Sequence, residues 1–531
     1  MSKDKMETGI VRQWLDRSGH ARIIGFILAA AAVIKLPLLA LNWGLVEKDG
    51  IHYVAIAKRF AAMDIVGALS LSAESYLPFY PLLIALFHGL GVSWATSAIM
   101  VSFVCGVLAV VPFYFLVNRL FDVKFAAVAS LFFAMSPEIN FVSTAIGSDS
   151  AFLLLFVLAV WVLWLAHEKG SLWYLVGFAV AALLAASTRN AGIVLFPLCL
   201  FWVYRSYRHD RKKLVTFIAI AGGLAAVTVA LLQLYSSYTG RLPLKVLNVL
   251  DVLGDLSFVK GGVVVEELKL AEDKIYGGRY YDFFEMATHY IHVIYLIGTL
   301  EMLIKACGYA ISPFVAAGLF AGERAGKGCE RSYLLTIAVL FVLTTYVFML
   351  KNYFAETRYL LPAALALLPF GGPGYQRVEE YLKKRFSLSE AAIASMVALL
   401  VLGAAVYKIN SKRKDYSTYG NQIEAIRWVR ENVQAAAAIA TNAPAIPFSA
   451  ERSYVKVDCS DLDECMEEAA GKGTRIDYFI YKTPEGEKLA ATPSYAVRKV
   501  FLRGRSEIYV LEVAAQGATS RQGSSDQGSS D

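Results

Sequence analysis

The sequence predicts an α-helical polytopic membrane protein, with about eleven transmembrane helices and a small α/β domain at its C-terminal end. Three observations carry that prediction. Apolar residues fill 57% of the 531 positions and charged ones only 18%; mean hydropathy is +0.51. The apolar residues come in blocks long enough to cross roughly 30 Å of hydrocarbon, not at the spaced positions of a soluble core. Lys and Arg collect beside alternate block ends. Lipid satisfies no backbone N–H or C=O, so such blocks must be helices, and the period-two alternation of a membrane barrel is absent.

The expected spans are 22–42, 94–118, 124–140, 150–167, 172–187, 191–206, 214–235, 291–320, 332–350, 359–376 and 390–408. The basic N-terminal stretch runs into the first of these with no small-residue cleavage site, so the first helix is read as retained. Segment 78–90 (PFYPLLIALFHGL) is apolar but too short to span and is placed as a surface helix in the first outside loop.

With the N-terminus inside, the cytoplasmic turns hold Arg119 and Lys124, then Lys169, then Arg205, Arg208, Arg211, Lys212 and Lys213. Arg324, Lys327 and Arg331 follow, then Arg377, Lys383, Lys384 and Arg385. The opposite turns hold far fewer, as positive-inside topology requires. The net charge of +7 is therefore a topology signal and not a nucleic-acid footprint. Loops 43–93 and 236–290, and everything from 409, fall outside.

The expected domains are 1–408 in the membrane, 409–515 as an extracytoplasmic α/β module and 516–531 as a disordered Gly/Ser/Gln tail. The module opens on a helix-patterned NQIEAIRWVRENVQ and continues with strand-like YVKVD, IDYFIYK and EIYVLEV. Cys105, Cys199 and Cys307 read as small apolar residues in helices. Cys459 and Cys465 lie close together in an oxidising compartment, where a disulfide and two free thiols are both open. No Cys/His spacing resembles a zinc site.

Charges are costly in hydrocarbon, so the informative ionisable groups are those gathered at one face. The first outside loop carries Glu47, Asp49 and Glu74, with His52, Tyr53, Lys58 and Arg59 in DGIHYVAIAKRF. SPEINFVSTAIGSDSAF brings Glu138 and Asp149 with no basic residue between them. STRNAG brings Arg189, and KNYFAETRYLLP brings Lys351, Glu356, Arg358 and Tyr359. Each has a plainer reading: Asp49 as a solvated loop acid, although DGIHYVAIAKRF reads as a helix whose start it would cap, Asp149 as a helix cap, Glu138 as a solvated boundary acid, Arg189 and Arg358 as interfacial anchors.

The motifs EKDGIHYVAIAKRF, YLPFYPLLIALFHGLG, GSDSAFLLLFVLAV and AASTRNAGIVLFPL, with a weaker echo in ETRYLLPAALALLPF, occur in an order that resembles a known family. It is that of the GT-C-fold glycosyltransferases using polyprenyl-phosphate sugars, in the branch of protein O-mannosyltransferases and the lipid A aminoarabinose transferase. The likeness is best over residues 40–200. It implies a GT-C-like membrane domain and a polyprenyl-phosphate-linked sugar donor. The acceptor hydroxyl would belong to a lipid, glycan or protein, and transfer would invert the anomeric carbon at the outer face of the cytoplasmic membrane. Membrane lipids, and no nucleic acid, are the other expected partners.

On that likeness Asp49 is the expected general base, with Asp149 and Glu138 orienting the acceptor or, with Asp49, holding a divalent ion (Mg or Mn). Tyr53, Lys58, Arg59, Glu74, Arg189, Arg358 and Tyr359 are the expected substrate contacts. Many relatives carry a basic residue followed by two prolines where this chain has Leu77, Pro78 and Phe79. Another cation must then hold the lipid phosphate: Lys48, Lys58 and Arg59 are the nearby candidates. A transporter or flippase of a lipid-linked substrate is the rival reading; of its usual marks, no clear internal repeat is evident and the middles of the spans hold almost no ionisable residue.

Overall fold

The computed structural model describes residues 19–43, 46, 48–75, 77–208, 210–219, 281–321, 328–352, 354–459, 461–472, 476–483, 495–502 and 507–513, with isolated positions between 264 and 270. Glu47, the side chains of Lys48 and Glu74, most of the predicted span 214–235 and of loop 236–290, and the tail 516–531 lie outside them. The chain divides into two compact units, Met1–Trp43 with His52–Ile409, and Gly44–Ile51 with Asn410–Asp531.

The first unit is helical. Among the described residues five helices are long and apolar enough to cross a membrane alone: His20–Asn42, Trp94–Leu120, Asp149–Lys169, Gly328–Asn352 and Glu390–Ser411. Predicted span 172–187 is the single helix Leu172–Ala186, and four others are assembled from shorter pieces. Val123–Met135 stops at Ser136 and Pro137 and is followed by a six-residue helix, Pro137–Val142. Residues 190–194 form a 3-10 turn before Leu195–Tyr207. The stretch read as 359–376 is a 3-10 turn (Thr357–Leu360), a helix (Leu361–Leu367), a second 3-10 turn and the amphipathic helix Gly371–Phe386.

The expected single span 291–320 is two helices, Ile291–Cys307 and Ser312–Leu319. Gly308 separates them with φ at 93°, a left-handed conformation that glycine adopts without a Cβ penalty. Segment 78–90 holds the short helix Phe79–His88, and the first loop adds Lys48–Ala61 and Ile65–Ser75.

The core of this unit is aromatic and small-residue packing. Trp202, Tyr333 and Trp164 form one buried cluster, with Trp202 and Tyr333 centroids 4.9 Å apart. Helices Ser312–Leu319 and Gly371–Phe386 meet backbone to backbone. A Cβ on Gly318 would run into Phe370 O, and one on Gly374 into Phe314 O, so neither position admits a side chain.

The second unit contains a five-stranded sheet in the order β2-β1-β3-β5-β4. Its strands are β1 Ile439–Thr441, β2 Tyr454–Lys456, β3 Tyr478–Lys482, β4 Tyr495–Phe501 and β5 Ile508–Val513. β1 pairs in parallel with β2 and β3, while β5 is antiparallel to β3 and β4. Strands β1 and β4 were not anticipated: β1 is three residues long, and β4 turns most of its residues to solvent, which hides its alternation.

Side chains alternate across β3, so Ile480 packs with Ala425, Val429 and Val510 on one face, whereas Phe479 and Tyr481 pack with Leu462 and Cys465 on the other. Ala425 and Val429 belong to the far end of the helix Glu390–Asn432, and Leu462 and Cys465 to Leu462–Gly471. Cys459 and Cys465 are joined in a disulfide.

Candidate active site

The site grows from the segment Pro137–Ser150. Pro137 opens its short helix at a position where the missing N–H costs nothing. From Ser143 to Ser148 the backbone is irregular: Ser143 and Thr144 N–H still donate back to Ile139 O and Phe141 O, and neighbouring helices satisfy further polar groups. Gly147 N–H donates to the Tyr80 hydroxyl at 3.1 Å; Tyr80, fully buried, donates to Ala98 O at 3.0 Å and lies 2.8 Å from Ser102 Oγ. Tyr53 and Ser148 share a hydrogen bond of 3.1 Å, and the Tyr53 and Tyr80 rings meet edge to face at 5.0 Å. Ser150 Oγ donates to Val142 O at 2.9 Å.

This turn delivers Asp149 to the first turn of Asp149–Lys169, where the helix dipole favours a carboxylate. Asp149 is 5% exposed. Its Oδ1 accepts from Arg189 Nη1, and its Oδ2 lies 3.6 Å from Arg358 Nη1. Arg189 follows a turn at Ser187 and Thr188 that ends Leu172–Ala186; it is itself extended, with its N–H donating to Ala185 O. Arg358 Nη2 also donates to Glu356 at 3.0 Å, and its Nε lies 2.8 Å from the same carboxylate without the alignment of a hydrogen bond.

The Tyr359 ring lies under both cations, its centre 5.7 Å from the Arg189 Cζ and 5.8 Å from that of Arg358. Burial opposes the charge on Arg358, but Asp149 and Glu356 outweigh it and raise the guanidinium pKa above its ordinary value. The result is a pair of fixed guanidinium groups, partly open to solvent, held by one buried carboxylate. Planar, multi-donor cations in that arrangement suit a phosphate or another oxyanion.

Five of the residues expected at the outer face thus converge: Asp149, Arg189, Glu356, Arg358 and Tyr359, with Tyr53 tied in through Ser148. Glu138, Arg59 and Lys58 are placed elsewhere in the first unit. Glu138 accepts from Lys408 Nζ at 2.7 Å and is nearly buried, so its carboxylate is committed to joining Pro137–Val142 to the last span. Arg59 pairs with Asp64 at 2.9 Å on an exposed surface. Lys58 lies 5.9 Å from the centre of the Trp94 ring, which stacks on His88. Asp49 occupies the first turn of Lys48–Ala61 and groups with the second unit.

Among the described residues no group of three or more His, Cys, Asp or Glu can hold a metal ion. Two residues escaped the sequence reading. Lys35 is an ionisable residue inside the first span, a signal visible in the sequence. Tyr80 carries no such signal, because a buried tyrosine in an apolar helix looks like core until its hydroxyl partners are known.

Residues 75–234 match the family described as dolichyl-phosphate-mannose-protein mannosyltransferase. No curated protein matches the chain in sequence. The structure is similar to ArnT from Cupriavidus metallidurans bound to undecaprenyl phosphate, with a TM-score of 0.59 at 14% identity over 93% of this chain and 99% of that one. It is also similar to the oligosaccharyltransferase AglB from Archaeoglobus fulgidus, in complex with an inhibitory peptide and a dolichol-phosphate. That match has a TM-score of 0.51 at 14% identity over 86% of this chain and 69% of that one. The chain has the GT-C fold and is an integral membrane protein.

Proposed function

We propose that the protein is a membrane glycosyltransferase that moves a sugar from a polyprenyl-phosphate donor to a hydroxyl on a lipid, glycan or protein, at the outer face of the cytoplasmic membrane. The observation that carries this reading is the Asp149-held pair Arg189 and Arg358 above Tyr359. The match over residues 75–234 and the polyprenyl phosphates bound by two structural neighbours support it.

In the proposed reaction the acceptor oxygen attacks the anomeric carbon from the face opposite the phosphate, inverting it. The carbon–oxygen bond to the phosphate breaks, and its electron pair leaves on the phosphate oxygen. Asp49 takes the hydroxyl proton, a role contributing about 10²–10⁴-fold. The leaving phosphate needs charge stabilisation and no proton, which Arg189 and Arg358 supply from fixed positions. Asp149 then serves as the anchor of the arginines. Both its oxygens face guanidinium groups, a poor fit to a divalent ion.

The test is incubation of the purified protein with a polyprenyl-phosphate sugar and candidate hydroxyl acceptors. Acceptor-dependent release of polyprenyl phosphate is expected. Movement of the intact lipid-linked sugar across the bilayer, with no release, would establish the transporter reading instead.

A further inference from the structure

The first span carries a lysine that the proposed reaction does not use. Lys35 is fully buried in His20–Asn42, a helix apolar enough to cross the membrane. Its Nζ donates to Asn140 Oδ1 at 2.7 Å. Two helical turns further on, and so on the same side of the helix, buried Asn42 donates to Thr144 O at 2.7 Å. The first span therefore grips the segment Pro137–Ser150 at two points one turn apart on that segment.

An ionisable group at this depth is expensive and is retained where it acts on something. A neutral hydrogen-bonding residue or plain packing would join two helices at lower cost. What Lys35 acts on is the piece of chain that ends at Asp149. Asn140 sits in Pro137–Val142, whose helix hydrogen bonds run out at Ser143 and Thr144; beyond them the turn is held to Tyr80 and Tyr53 of neighbouring helices on its way to Asp149.

We propose that Lys35 is a positioning residue: through Asn140 it fixes Pro137–Val142 and the following turn, and so sets where Asp149 presents Arg189 and Arg358. The placement stands on the geometry alone, whereas its kinetic consequence rests on the transferase reading above.

The test compares Lys35→Met, Asn140→Leu and the double variant in the full-length protein reconstituted in lipid. Removing one partner leaves a buried polar group unsatisfied, whereas replacing both with apolar residues restores a satisfied interior. Thermal unfolding should therefore show each single variant destabilised and the double variant recovered.

If Lys35 positions the site, the recovered double variant still turns over at least tenfold more slowly in kcat, with KM for the donor changed less than threefold. Amide exchange over residues 141–149 stays faster than in wild type. A double variant that regains wild-type kcat and exchange would show that the pair only fills space and would overturn the proposal, as would a Lys35→Met protein indistinguishable from wild type. The exchange arm needs no substrate. If wild-type protein releases no lipid phosphate, the transferase reading fails while the positioning claim is still decided by exchange.

Discussion

Replacing Asp149 with asparagine keeps the size and one acceptor oxygen but removes the charge that holds Arg189 and Arg358. The carboxylate is 5% exposed, and its Oδ2 stands 3.6 Å from Arg358 Nη1. At an effective dielectric of about 20, two unit charges at that separation interact by about 4–5 kcal/mol. Asparagine avoids the desolvation penalty of the buried carboxylate, and Glu356 still holds Arg358, so about 3 kcal/mol remains as the net loss. If that energy positions the leaving-group cations, kcat/KM falls by about 10²-fold.

The assay is acceptor-dependent release of polyprenyl phosphate by purified Asp149→Asn, checked for monodispersity and helix content. Arg189→Met should lose a similar factor. The double variant Asp149→Asn with Arg189→Met should lose little more, because residues acting as a unit are not additive. A folded Asp149→Asn enzyme within fivefold of wild type would refute the reasoning.

Asp49→Asn is expected to lower transfer by at least about 10²-fold while leaving expression and membrane insertion unchanged. A cysteine at position 49 should react with an impermeant maleimide in intact cells, and labelling only after permeabilisation would sink the outward-facing base. The raised pKa of Arg358 means that its charge is present throughout the working range and is lost only at extreme alkaline pH. Arg358→Lys should therefore introduce an alkaline fall in kcat/KM as the ammonium titrates near about 10.4, and profiles that superimpose would remove Arg358 from the phosphate site. Cys459 and Cys465 close a loop with a sequence separation of 6. Loop-closure entropy then predicts about 2 kcal/mol of lost stability in the Cys459→Ser, Cys465→Ala protein, read as faster amide exchange in β3 and β5 with the transmembrane helices unchanged.

Hydrophobic blocks and turn chemistry act over a few residues, and what they control was legible. The length of each apolar block set where helices such as His20–Asn42, Asp149–Lys169 and Gly328–Asn352 lie. Strands β2, β3 and β5 were visible in their alternation. The break at Gly308 was not, because a glycine inside an apolar run is compatible with a continuous helix until packing demands the left-handed turn. Asp149, Arg189 and Arg358 could be shortlisted as ionisable groups at helix ends.

The sequence by itself thus determined that this is a polytopic helical membrane protein with an α/β module, and which charges sit at span ends. Tertiary structure decided which of those charges meet. Arg189 finds Asp149 across 40 positions, Lys35 finds Asn140 across 105, and Glu138, shortlisted beside Asp149, is taken by Lys408 across 270. Burying apolar surface is non-directional and places each helix in the bilayer without choosing its neighbour. The neighbour is chosen by close packing of small residues and by the need of each buried polar group for a partner, and both are properties of the assembled helices.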